Sequence, residues 1–229
     1  MQFDVMLYTA STWVLPVLLA ITLHEAAHAL VAHRLGDDTA YRLGRVTLNP
    51  LKHIDLFGTI LLPALLLFLR SPFLFGYAKP VPVNFGALGH PRRDMVLVAV
   101  AGPVTNLVLA TAAALAIHLL PYVPSGAAAW VAQNLKNALI INVVLAVFNM
   151  LPIPPLDGGR VAVGILPNFL ALPLVRLEPY GMMILIALIF LLPVIGMQMG
   201  VDLNVISFLI TTPTEMVLRA ILWLTGNVR

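Results

Sequence analysis

Apolar residues fall along this chain in long blocks separated by short polar stretches. The first block runs from about Met6 to His33 and closes at Arg34 and Gly36. Others cover Asp94 to Leu120, Trp130 to Leu151, Gly181 to Pro193 and Val205 to Leu224. A membrane-crossing helix needs about 20 apolar residues, so Gly181–Pro193 qualifies only by extending back through Val175. Between the first two blocks the pattern changes. Asp37 to Pro50 is polar with an alternating set (Tyr41, Leu43, Val46, Leu48), the period of an extended segment or short hairpin. Ile54 to Leu69 is apolar but short, with Gly58 and Pro63 inside it, and Ser71 to Arg93 is rich in proline and glycine. Neither suits a long helix, and together they predict a re-entrant segment. The pattern therefore predicts an all-α polytopic membrane protein: about five transmembrane helices, a re-entrant segment and a short membrane-associated β hairpin.

Composition agrees. The 229 residues are 60% hydrophobic and 10% charged, with mean hydropathy +0.97, against about 45–50% and about 25% for a soluble domain. The chain is read as one integral membrane domain over residues 1–229, with the lipid bilayer as its surroundings. Its net charge of +3 is spread over short loops, which speaks to topology and not to nucleic acid. There are no cysteines, so a metal would be held by His, Asp or Glu.

Chemistry enters with residues 24–28, His-Glu-Ala-Ala-His, inside the first block. His24 and His28 are four apart and project from one helix face. Two imidazoles so placed can hold zinc, with Glu25 as general base on a water at the metal. In a soluble core such a pair is more often a satisfied core pair. Here Glu25 is the only Asp, Glu, Lys or Arg from Met6 to Val31, and ionisable groups at membrane depth are costly enough to point to function. His33, His53, His90 and His118 are not read as ligands.

A second acidic position, Asp157, follows the Trp130–Leu151 block. If Asp157 meets the histidines, the C-terminal ends of that block and of the first lie on one side, and Asp94–Leu120 starts there. Arg34, Arg42, Arg45, Lys52, Lys79, Arg92, Arg93, Arg160 and Arg176 then share that side, whereas Pro121–Ala129 carries no Lys or Arg. The positive-inside rule makes it cytoplasmic, with the N-terminus outside and the C-terminus cytoplasmic; Arg70 also belongs near that surface, which favours re-entry.

Three motifs in order, His24 to His28, Ala-Gly-Pro-Val-Thr-Asn at 101–106 and Asn149 through Gly158 around Leu156-Asp157-Gly158, give the chain a family resemblance. It resembles the site-2 proteases, intramembrane zinc metalloproteases, and Gly76 to Asn84 is similar to a segment of their compact, PDZ-less members. The resemblance covers roughly Leu18 to Arg160. It implies a catalytic core over 6–160, including the re-entrant and β segment at 37–93, followed by C-terminal transmembrane helices at 161–229. It also implies one zinc ion per chain on His24, His28 and Asp157, with a fourth position for water and Glu25 as base. Asp157 in an Asp-Gly turn at a span end is the bland alternative. The partner implied is a transmembrane protein substrate, locally unwound and cut within or near its membrane segment, as in regulated intramembrane proteolysis; the cell membrane is the location if the source is bacterial.

Asn149 and Asn106 are secondary candidates, either polarising a scissile carbonyl and binding substrate or joining helices by hydrogen bonds. Val46, on the Tyr41–Asn49 edge that could capture substrate by strand addition, and Pro154, beside Asp157, complete the candidate substrate-binding set. The competing classes are a zinc transporter or sensor and a catalytically silent scaffold. The apolar stretch beyond Thr22 and the intact Glu25 argue against both. The sequence is silent on the substrate's identity and the oligomeric state.

Overall fold

The computed structural model describes residues 2–61, 65, 68 and 79–228. In chain order its helices are α1 (Gln2–Arg34), α2 (Thr39–Arg42), α3 (Pro91–Ala116), α4 (Ser125–Asn149) and α5 (Asp157–Ile165), then α6 (Asn168–Met199) and α7 (Val205–Leu224). Among the described residues, five helices are long and apolar enough to cross a membrane: α1, α3 with its continuation to Tyr122, α4, α6 and α7. The C-terminal block that looked marginal from Gly181 starts at Asn168 and spans 32 residues.

These helices put small and polar side chains inward and large apolar ones outward. On α3, Ala99, Gly102, Asn106, Ala110 and Ala113 are buried, whereas Val104, Val108 and Leu115 are exposed. On α1, Thr12, Ala20, Thr22, His24 and His28 are buried and Val14, Leu15 and Leu19 exposed. Lipid is as apolar as leucine, so burying leucine between helices gains little; close approach through small residues and interhelical hydrogen bonds hold the bundle. One core joins Ala110, Ala113 and Ala114 of α3 to Leu139 and Val143 of α4 and Ile221 of α7. A second joins Leu151 and Leu156, before α5, to Leu185 of α6 and Ile206 of α7. Polar ties reinforce the junction of α1 and α4: the Asn137 amide donates to the Thr12 carbonyl (2.9 Å) and the Trp130 indole to the Ser11 hydroxyl (3.0 Å).

The β hairpin expected over Asp37–Pro50 is not there, and no strand occurs among the described residues. The segment folds on itself: α2 is one helical turn, Gly44 is left-handed (φ 64°), and Pro50–Lys52 is a tight 3-10 turn. Local bonds satisfy the backbone, Arg42 N–H to the Asp38 carbonyl (2.9 Å) and Arg45 N–H to that of Ala40 (2.9 Å). Its alternation marked no buried strand face, because Tyr41, Leu43 and Leu48 are exposed. The re-entrant expectation over Ile54–Leu69 and onward finds no support. Its described residues Leu56–Leu61 form a wide helical turn; residues 62–64, 66–67 and 69–78, with Arg70, lie outside the described residues.

Candidate metal centre

α1 and α3 run antiparallel and meet around Gly102. A Cβ added to Gly102 would lie 2.4 Å from His28 Nε2 and 2.5 and 2.6 Å from His24 Cε1 and Nε2. Glycine thus lets both imidazoles sit against the α3 backbone. The rings are edge to face, with centroids 4.6 Å apart. Their outer nitrogens are tied to α3 one turn either side of Gly102, His28 Nδ1 to the Val98 carbonyl (2.7 Å) and His24 Nδ1 to Asn106 Oδ1 (2.6 Å). A carbonyl oxygen only accepts, so each ring carries a proton on Nδ1, and a neutral imidazole then presents the lone pair of its Nε2.

Asp157 arrives from the other side as the first residue of α5. Gly158 permits this: a Cβ there would lie 2.2 and 2.4 Å from the Met150 and Leu151 carbonyl oxygens. The far end of α5 is clamped by Arg92, which donates to the Gly164 carbonyl (3.0 Å), to Asn168 Oδ1 (2.9 Å) and to the Leu166 carbonyl. Asp157 Oδ2 ends 3.2 Å from His24 Nε2 and 3.3 Å from His28 Nε2, and the two Nε2 atoms are 3.0 Å apart. All three side chains are buried, and Oδ2 has no hydrogen-bond donor. With both rings neutral, three electron pairs converge here on one point, the donor set that a metal cation takes. The triangle matches zinc: bonds of about 2.0–2.1 Å at tetrahedral angles space ligand atoms by about 3.3 Å.

Glu25, half-buried, accepts a hydrogen bond from the Val81 N–H (2.9 Å). Val81 belongs to an extended strap, residues 79–84, laid over this part of α1. The strap is fixed through its backbone. Arg45 donates to the Lys79 carbonyl (2.7 Å), the Lys79 N–H donates to the His53 carbonyl (3.0 Å), and the Asn84 N–H donates to Asp37 (2.7 Å). Val81 itself is buried with Ala29 and Ala40.

Burial pushes the Asp37 carboxyl up, but donors from the Thr39 hydroxyl, the Thr39 N–H and the Asn84 N–H outweigh it and hold the group below its ordinary range. A depressed carboxyl stabilises the fold above its unfolded pKa near 3.9 and loses that contribution only as pH falls through the lower folded value. Strap anchoring should therefore be constant from about pH 5 to 8. Asp37→Ala should cost about 1–3 kcal/mol of stability, because buried donors lose their acceptor. A thermal melt of this variant matching wild type would contradict the anchoring role.

The structure brings His24, His28 and Asp157 together and places Glu25 on the adjacent α1 position. Asn106 is fully buried, behind His24. Asn149 donates to the Leu145 carbonyl of its own helix (3.0 Å). Val46 is half-buried and packs with the Val81 cluster, backing the strap. Pro154 is buried and lines a cavity of about 220 Å³ with Phe85, Leu156 and Arg160. Sequence reasoning gave no role at the site to Asp37, Arg45 or Asn142 and met Gly158 only as part of a motif; His53, not read as a ligand, is buried and bonded to the Thr47 carbonyl (2.9 Å).

A bundle of membrane-crossing helices gathering two imidazoles and a carboxylate, with a second carboxylate one residue away, defines a membrane-embedded metalloprotease. Residues 123–192 match Peptidase family M50. The chain is 39% identical over 179 residues to "Putative zinc metalloprotease YwhC" of Bacillus subtilis (strain 168), covering 76% of this chain and 78% of that relative. It is 33% identical over 141 residues to "Putative zinc metalloprotease Rip2" of Mycolicibacterium smegmatis and 35% identical over 141 residues to the Rip2 of Mycobacterium tuberculosis (strain H37Rv). Each alignment covers 62% of this chain and 52% of the relative. No solved structure matches. The chain belongs to peptidase family M50, the site-2 protease family, and is a zinc metalloprotease.

Proposed function

We propose that this protein hydrolyses peptide bonds within or beside the transmembrane segments of membrane-protein substrates. In this reading His24, His28 and Asp157 hold one zinc ion per chain and Glu25 is the general base. The observation that carries it is the buried triangle of lone pairs from His24, His28 and Asp157, with its place in the span. His24 lies ten residues before the end of the Leu7–Arg34 span, about 15 Å along a helix of 1.5 Å rise. In this reading the centre lies at membrane depth, where a transmembrane segment reaches it more readily than a soluble peptide does.

Zinc, when bound, supplies a Lewis acid that acidifies water and polarises the scissile carbonyl. The protein's own residues do the rest. Asp157 and the two Nε2 atoms fix the geometry, and the small residues of α3 exclude water from behind the imidazoles. The Glu25 carboxylate takes the proton from the attacking water and passes it to the leaving amine. Asn149, at the end of the helix that leads to Asp157, would exchange its bond to the Leu145 carbonyl for one to the substrate backbone. Pro154 and its cavity can take an apolar substrate side chain, and Val46 acts through the strap. A transmembrane substrate has its carbonyls bonded within its own helix, so it must unwind locally before it can be cut. Residues 6–160 form the catalytic core and 161–229 the supporting helices. The centre faces the cytoplasm, with the N-terminus outside and the C-terminus inside, the orientation that the Lys and Arg distribution favours.

The test is cleavage in proteoliposomes containing single-pass proteins extracted from the same membrane. Cuts should fall in or next to transmembrane segments, stop with 1,10-phenanthroline and resume with zinc. Cleavage confined to soluble unfolded proteins would refute the membrane substrate. Topology is checked separately, since the chain lacks cysteine. A cysteine placed at Gly126 should react with an impermeant thiol reagent from outside, and one at Arg93 only after the membrane is opened. The reverse pattern would invert the orientation.

A further inference from the structure

Behind His24 lies a file of buried groups that crosses three helices. Asn106 of α3 accepts from His24 Nδ1 through Oδ1. Its amide nitrogen donates to the Ala20 carbonyl of α1 (3.3 Å) and to Asn142 Oδ1 of α4 (2.8 Å). The Asn142 nitrogen in turn donates to the Ala138 carbonyl (2.8 Å). Asn106 is 0% and Asn142 3% exposed, so water supplies none of these partners.

The direction of the file follows from its ends. The carbonyls of Ala138 and Ala20 can only accept, so each must be met by an amide nitrogen. With nitrogen on Ala138, Asn142 turns its oxygen to Asn106. With nitrogen on Ala20 and Asn142, Asn106 turns its oxygen to His24. That oxygen can take only a proton, so His24 carries its hydrogen on Nδ1 and leaves Nε2 free. Reversing either amide would face oxygen with oxygen in a dry interior, where an unsatisfied polar group is costly.

We propose that Asn142 is a positioning residue for the metal centre. It fixes the orientation of the Asn106 amide, and through it the tautomer and aim of His24, from a helix that contributes no ligand of its own. The inference rests on the reading of His24, His28 and Asp157 as zinc ligands. His28 is served by a backbone carbonyl, which cannot flip; His24 is served by an amide, which can, and the second amide removes that freedom.

The test is zinc affinity of the purified full chain in detergent, by competition with a chromophoric chelator, alongside the melting of the zinc-free protein. Partners behind a metal ligand typically alter affinity by about 10–100-fold. Asn106→Leu should weaken zinc within that range and Asn142→Leu by about tenfold. In the Asn106→Leu background, Asn142→Leu should add nothing. Asn142→Asp, neutral when buried, can donate to Ala138 and accept from Asn106, so it should restore affinity to within about threefold of wild type. The cobalt-substituted Leu variant should show an altered visible spectrum and the Asp variant the wild-type one. Should Asn142→Leu not fold, Asn142→Ala carries the same expectation.

Wild-type affinity in Asn142→Leu or Asn142→Ala would overturn the proposal. So would equal losses in the Leu and Asp variants, or a loss that only follows the melting temperature of the zinc-free protein. Zinc that survives Asp157→Ala would instead overturn the ligand reading beneath it, so the two failures are distinguishable.

Discussion

Gly102→Ala should empty the metal centre while leaving the helices intact. The added methyl would lie 2.4 Å from one metal-facing nitrogen and 2.6 Å from the other, closer than a carbon can approach. The imidazoles cannot swing aside cheaply, because each is tied by Nδ1 to the helix that carries the methyl, at Val98 and at Asn106. Either a ring leaves its partner or α1 and α3 separate, and both break the triangle with Asp157. Elsewhere in a helix, Gly→Ala is favourable by about 0.5–1 kcal/mol through propensity. The substitution therefore drives two readouts apart: zinc per chain, by mass spectrometry, should fall from about one towards zero, while helicity is kept. Gly126→Ala, where nothing lies within 4 Å of the new methyl, is the control and should keep its zinc. One zinc per chain in Gly102→Ala would mean that the rings do not rest on residue 102.

The parts of this centre that sequence could announce are those whose signal is local. His24 and His28 are one helical turn apart, and that spacing alone puts them on one face. Asp157 is visible because proline and glycine surround it at the end of an apolar block. The supports are of another kind. Val98 acts through its carbonyl, which carries no side-chain signature. Asn142 is 36 positions from Asn106, and reading α1 outward from His24 found only Thr22, because the polar continuation lies on α4. The strap over Glu25 is held at Lys79, Val81 and Asn84 by backbone atoms. The hairpin over Asp37–Pro50 failed because its alternation marks no buried face: Tyr41, Leu43 and Leu48 are all exposed. The capping carboxylate of Asp37 and the left-handed Gly44 then decide the local path.

Glu25→Gln should separate binding from turnover. The variant keeps the shape of the side chain, and its amide oxygen can still accept from the Val81 N–H, so the strap stays in place. The zinc ligands are not touched. What is lost is a group able to take a proton from water, and general-base catalysis contributes about 10²- to 10⁴-fold. Turnover of a membrane substrate should fall by that factor, with zinc content and KM near wild type. Glu25→Ala should lose the same turnover but also leave the Val81 N–H without its acceptor, so its strap becomes easier to cut by limited proteolysis between residues 79 and 84. The comparison assigns two duties to one carboxylate, a proton acceptor and an anchor for the strap. Equal proteolytic sensitivity in the two variants would remove the second duty. Substantial turnover in Glu25→Gln would remove the first, and the base would have to be sought elsewhere in the centre.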